Sequence, residues 1–120
     1  MAWLRSKRAA RLLFITQPSP FTYTQRARVI EAANRYRLGT IYGFPIAARD
    51  GALVAYGPDY VGMYRQAGTY VARVLKGEKP ADLPVVEPTK FVMVINRKTA
   101  EAIGQIVPNT MLVAADEVIE

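Results

Sequence analysis

The sequence predicts an α/β fold with a parallel sheet and helices on its faces. Three features carry this. Short apolar runs rich in β-branched and aromatic residues recur along the chain, amphipathic stretches separate them, and glycine, proline and aspartate mark the junctions. The chain has 120 residues, enough for one core. Half of it is apolar and under a quarter is charged, which excludes a disordered composition.

The elements follow in order. Arg11–Thr16 is a short apolar run, read as a buried strand. Gln17–Phe21 holds two prolines and reads as a loop. Thr22 or Thr24 can cap a helix running to about Arg37, with Val29, Ile30, Ala33 and Tyr36 as its apolar stripe. Gly39 is the expected stop, and Thr40–Phe44 a second strand. Pro45–Gly51 reads as a loop or a single helical turn, and Ala52–Tyr56 as a third strand.

Gly57, Pro58 and Asp59 then punctuate the chain, and Asp59 suits the N-cap of the next helix. Along that helix Tyr60, Met63, Tyr64, Ala67, Val71, Val74 and Leu75 share one face, and Gly77 is its natural end. A proline-rich link covers Glu78 to Pro88. Lys90–Ile95 is a strand, and Asn96 caps a short helix ending at Gly104. The tail from Val107 holds a short strand at Met111–Ala114.

Composition removes several chemistries. There is no cysteine and no histidine, so disulfides, zinc sites of the Cys/His kind and imidazole-dependent triads are out. No glycine-rich phosphate loop is present. Asp50 and Asp59 are explained by turn and cap chemistry, and no cofactor is implied. An enzyme is not expected. Residues 1–37 carry eight basic groups against Glu31, a balance of +7 within a chain of net charge +6. No aromatic-basic motif or helix-turn-helix spacing accompanies this charge. It reads as a basic leader plus one solvated helix face, without a nucleic-acid partner. Leu12–Ile15 is too short for the apolar segment of a secretory signal, which needs roughly 7–15 residues.

In open α/β sheets ligands bind beyond the carboxyl ends of the strands. Here those ends are rich in aromatics, with Phe21, Tyr23, Tyr42, Phe44, Tyr56 and Tyr60 close by. Such walls suit a small organic solute with a planar part; the same rings suit core packing equally well.

The stretches QRARxxExAxxxRL, IYGF, YGPD, VLKGxKPADLPVxxPTKFxxVIN and the closing ADEVIE together resemble the C-terminal portion of ABC-transporter substrate-binding proteins. The likeness is to the tryptophan or aromatic-amino-acid type, with a type I periplasmic-binding-protein fold. It runs from about Leu12 to the end; Met1–Arg11 does not match. The resemblance implies a partial, doubly wound C-terminal lobe of a non-catalytic, periplasmic solute-binding protein that serves an ABC permease. It implies ligand contacts at Pro18, Ser19, Pro20, Phe21, Tyr42, Gly43, Phe44 and Tyr56, and a hinge at Gly57, Pro58 and Asp59. Residues 12–57 form the lobe's βαβ part, 58–78 the hinge and the helix normally packed on the other lobe, and 79–120 the returning link, strand, helix and tail. With most of one lobe outside the chain, ligand binding is expected to be weak or vestigial. The helix face Tyr60, Met63, Tyr64, Ala67, Val71 and Val74 would then stand open, which favours a homodimer or another protein-protein contact.

Overall fold

The computed structural model describes residues 13–120. The chain forms two compact units, Met1–Gly57 with Val92–Glu120, and Pro58–Phe91.

The first unit holds most of a five-stranded sheet in the order β1-β2-β3-β4-β5. The strands are β1 (Leu13–Ile15), β2 (Gly39–Tyr42), β3 (Val54–Pro58), β4 (Phe91–Asn96) and β5 (Glu117–Ile119). β1 pairs parallel with β2, β2 with β3, and β4 with β5. The β3–β4 pairing departs from the parallel expectation. The Asp59 N–H donates to Lys90 O at 3.0 Å, and the Asn96 N–H to Leu53 O at 2.9 Å. Numbers that rise along one strand as they fall along the other define an antiparallel pair. β4 therefore starts at the end of the sheet where β3 finishes, whereas in a βαβ unit the chain crosses back to the opposite end first.

Alternation along each strand builds two cores, one on each sheet face. Tyr42, Ala55 and Val94 join Ile30, Ala47, Ala48 and Ala52. Their sequence neighbours Ile41, Val54 and Ile95 join Leu53, Ala100 and Ile103 on the other side. The first cluster lies under α2 (Arg26–Arg35) and α3 (Ile46–Arg49); the second lies under α5 (Arg97–Ile103) and α6 (Asn109–Ala114).

Several boundaries differ from the sequence reading. The first helix starts early: Ser19 forms a capping box with Thr22 and opens α1 (Pro20–Thr24), with Pro20 at its first turn. The chain then breaks at Gln25 before α2. Thr22 and Thr24 are inside α1, so neither caps it. Ile30 and Ala33 are buried as expected, but Tyr36 is exposed. Gly39 does not end this helix. Arg37 takes the left-handed conformation at φ 56°, and the Leu38 N–H reaches back to Ala33 O at 2.9 Å. β1 is the outermost strand, and all three of its residues are exposed rather than buried; Arg11 and Leu12, expected at its start, lie outside the described residues. Met111–Ala114 belongs to α6, and the tail strand is β5 instead. A proline at the N-terminal boundary and the docking of Leu112 and Ala115 against the second core favour a helix there.

The C-terminal tail is tied down by charge. Arg49 holds Glu117 through Nη2–Oε2 at 2.6 Å and Nε–Oε1 at 3.2 Å, and Asp116 accepts the Met93 N–H at 2.8 Å. The bond from Arg49 pulls the Glu117 carboxyl below its ordinary range. Its folded value is lower than its unfolded one, so the pair stabilises fully above about pH 4.3 and loses this as pH falls through the depressed folded value. Glu117→Gln is therefore expected to lower stability at neutral and alkaline pH, where the ion pair is intact, and to change little in strong acid, so that the acid side of the stability–pH curve flattens, as followed by urea unfolding.

The second unit is α4 (Tyr60–Leu75) and the link that follows it. Asp59 caps α4 by accepting the Gly62 N–H at 3.1 Å, as its position in the sequence suggested. That bond, aided by Lys90 at 3.6 Å, lowers the Asp59 pKa. Gly77, at φ 104°, ends the helix with the Glu78 N–H bonded to Arg73 O. The Tyr70 hydroxyl donates to Pro84 O at 2.8 Å, fastening the link along one side of α4. No residue of α4 is buried, and Leu75 is 83 % exposed.

Candidate functional site

The carboxyl ends of β1, β2 and β3 meet in the first unit, and small residues let them meet. A Cβ on Gly43 would overlap Pro18 Cγ, and one on Gly57 would overlap the Gly43 carbonyl oxygen. The Gly43 and Gly57 backbone and the Pro18 ring thus form a tight floor across three strand ends.

Aromatic groups rise beside this floor. Tyr23, on α1, meets Phe44 edge to face with centroids 5.1 Å apart. The Arg26 guanidinium lies over the Tyr23 ring, 4.4 Å from its centroid. Arg26 also donates from Nε to Asp50 Oδ2 at 2.6 Å and from Nη1 to Tyr23 O at 2.9 Å. The break between α1 and α2 is what sets Arg26 at the first turn of a new helix, facing back toward Tyr23.

The residues expected from sequence divide between two environments. Phe21 and Tyr56 stand in solvent, 73 % and 56 % exposed. Pro18 and Pro20 are exposed as well. Ser19 is half-buried, with its hydroxyl bound into the capping box with Thr22. Gly43 and Phe44 line the junction of floor and wall. Tyr42 is 1 % exposed and belongs to the core beneath. Its hydroxyl is buried without a partner among the described residues, and burial raises its pKa against a smaller opposing effect of Arg26. Arg26 and its partner Asp50 were not among the expected contacts. The signal was present as an arginine three residues after a tyrosine, across a helix break that the sequence reading did not place.

Anchors hold this corner rigid from behind. The Asn96 side chain donates to Ala48 O at 2.8 Å, while Asn34 and Thr99 both donate to Gly51 O. The α3 turn that carries Asp50 is thereby fixed to α2 and α5.

Solved structures share this fold. A conserved domain protein from Vibrio cholerae matches with a TM-score of 0.83 and 25% identity over 88% of this chain. The ABC domain in complex with L-Trp from Streptococcus pneumonia matches at 0.81 and 24% over 89%. CD0873, a ligand-free, open substrate binding protein with adhesive properties from Clostridium difficile, matches at 0.55 and 18% over 89%. The chain spans 36% of the length of each of the three. No curated protein matches it. The family model for ABC transporter substrate binding proteins matches residues 8–119. Fold, strand-end geometry and this match over nearly the whole chain agree: the protein belongs to the ABC transporter substrate binding protein family.

Proposed function

We propose that this chain supplies the solute-contacting strand ends of a C-terminal lobe in an ABC import system, and that the solute is small with a planar part. The observation that carries this reading is the Tyr23–Phe44 wall standing beside the glycine floor of Pro18, Gly43 and Gly57. An edge-to-face aromatic pair beside closely approached backbone suits a planar ring packed against both. The L-Trp complex among structures of the same fold supports an aromatic amino acid as the solute. Pro18–Phe21, Gly43, Phe44 and Tyr56 are the proposed contacts, with Tyr42 in the core beneath them, Gly57–Asp59 the hinge, and a membrane permease the partner in the periplasm. The protein acts by binding, without catalysis.

Binding by this chain alone is expected to be weak, because a surface that leaves Phe21 and Tyr56 open buries little of a ligand. Calorimetry with L-tryptophan, L-phenylalanine and L-tyrosine tests the reading. The expected result is saturable heat in the millimolar range, reduced by Phe44→Ala. No heat from folded protein with any of the three would reject it.

A second reading is a protein-protein module without solute, carried by α4. Its face Tyr60, Met63, Tyr64, Ala67, Val71 and Val74 has no buried member. That reading expects a dimer in sedimentation equilibrium, and a monodisperse monomer at high concentration would remove it.

A further inference from the structure

We propose that Arg26 and Tyr23 form an anion site that takes the carboxylate of a planar organic acid, with Asp50 orienting the guanidinium. The inference deepens the solute reading above and rests on it for the choice of ligand class.

Arg26 has five N–H donors in a fixed fork. Its Nε donates to Asp50 and its Nη1 to the Tyr23 carbonyl. Nη2 makes no hydrogen bond among the described residues, and the side chain is 23 % exposed. The guanidinium is therefore clamped in plane at two nitrogens while the third remains able to donate. Stacking on Tyr23 at 4.4 Å fixes the same plane from one face. A held guanidinium loses little freedom on binding, and a charge-assisted bond to a carboxylate is among the stronger polar contacts a half-buried site can make.

The planar part of the ligand follows from the neighbours. The guanidinium lies over Tyr23, and Phe44 meets that same ring edge to face. A carboxylate attached to an aromatic group can meet the arginine and the ring pair together; an aliphatic acid meets only the first. Asp50 plays two opposed parts. Its oxygen orients Nε, and its charge repels an incoming anion. Asn at that position keeps the acceptor and removes the charge.

The test is a titration of the isotope-labelled full chain with benzoate and with its neutral counterpart benzamide, followed by NMR at the Arg26 Nε–H and the Tyr23 and Phe44 amides. Benzoate is expected to saturate these signals and benzamide to bind more weakly. Arg26→Gln should weaken benzoate about tenfold or more while leaving benzamide unchanged. Arg26→Lys, which keeps charge but loses the fork, should recover only part of this. Asp50→Asn should tighten benzoate about twofold. A merely structural role for Arg26 would weaken both ligands equally, and that result would overturn the proposal. So would the absence of saturable shifts at tens of millimolar benzoate, or an Asp50→Asn that weakens benzoate. The same variants in tryptophan calorimetry separate the two readings. Tryptophan binding that ignores Arg26→Gln removes the anion site and keeps the solute reading. Benzoate binding at Arg26 without any tryptophan heat does the reverse.

Discussion

Gly57→Ala is expected to lower stability by about 3 kcal/mol or more, with a fall in melting temperature of about 12 °C or more. The added methyl would overlap the Gly43 carbonyl oxygen and sit 2.8 Å from its carbon. The obstacle is backbone, so no rotamer change relieves it. β3 cannot shift away, because β2 and β4 flank it on both sides. The strand ends must separate, and the floor of the site opens with them. Gly68→Ala is the matched control. Nothing lies within 4 Å of a Cβ there, and the position is inside α4, so alanine should stabilise by about 0.5–1 kcal/mol. Thermal unfolding of the two variants should move in opposite directions. Equal melting temperatures would show that the Gly43–Gly57 contact does not constrain the fold.

Asn96→Ala should lower stability by roughly 2–3 kcal/mol, the sum of a lost helix cap and a lost buried side-chain donor. One side chain does both jobs. Its oxygen accepts the Thr99 N–H at 2.9 Å and its amide donates to Ala48 O at 2.8 Å. Asn96→Ser should restore the cap and about half of the loss, because serine caps well but does not reach Ala48. If serine restores everything, the tie to the α3 turn carries no weight. The two changes are best compared by urea midpoints at constant slope.

The sequence made the fold legible wherever two local rules agreed. Asp59 and Asn96 sit where a capping residue meets the start of a periodic run, and both are caps. Gly77 stands after the last apolar residue of α4 and takes the left-handed turn expected of it. The reading failed where a competing choice decided the matter. Gly39 was the natural stop for α2, yet Arg37 adopts the left-handed turn and Gly39 becomes the first residue of β2. There Leu13 and Leu53 close on the space a side chain would need, so this glycine answers to packing rather than to capping. Met111–Ala114 has a strand-like composition, but Pro108 before it and the core it covers make it helical. For the site, aromatic residues at strand ends could be found from composition. Arg26 was harder to find, because its partners Tyr23 and Asp50 lie in α1 and at the end of α3, and its approach depends on a helix break at Gln25 with no proline or glycine to announce it.

β1 has a consequence for how the protein behaves in bulk. Leu13, Phe14 and Ile15 are exposed on a strand whose outer edge meets no other described strand. An apolar strand edge is a template for pairing between molecules. No proline or charge lies within the strand to oppose it. The opposing force is the net charge of +6, which falls in the first third of the sequence. Repulsion of that kind is screened over about 8 Å at physiological salt and over about 3 Å at 1 M. Colloidal stability of the protein is thus an electrostatic property that salt can remove without unfolding the chain.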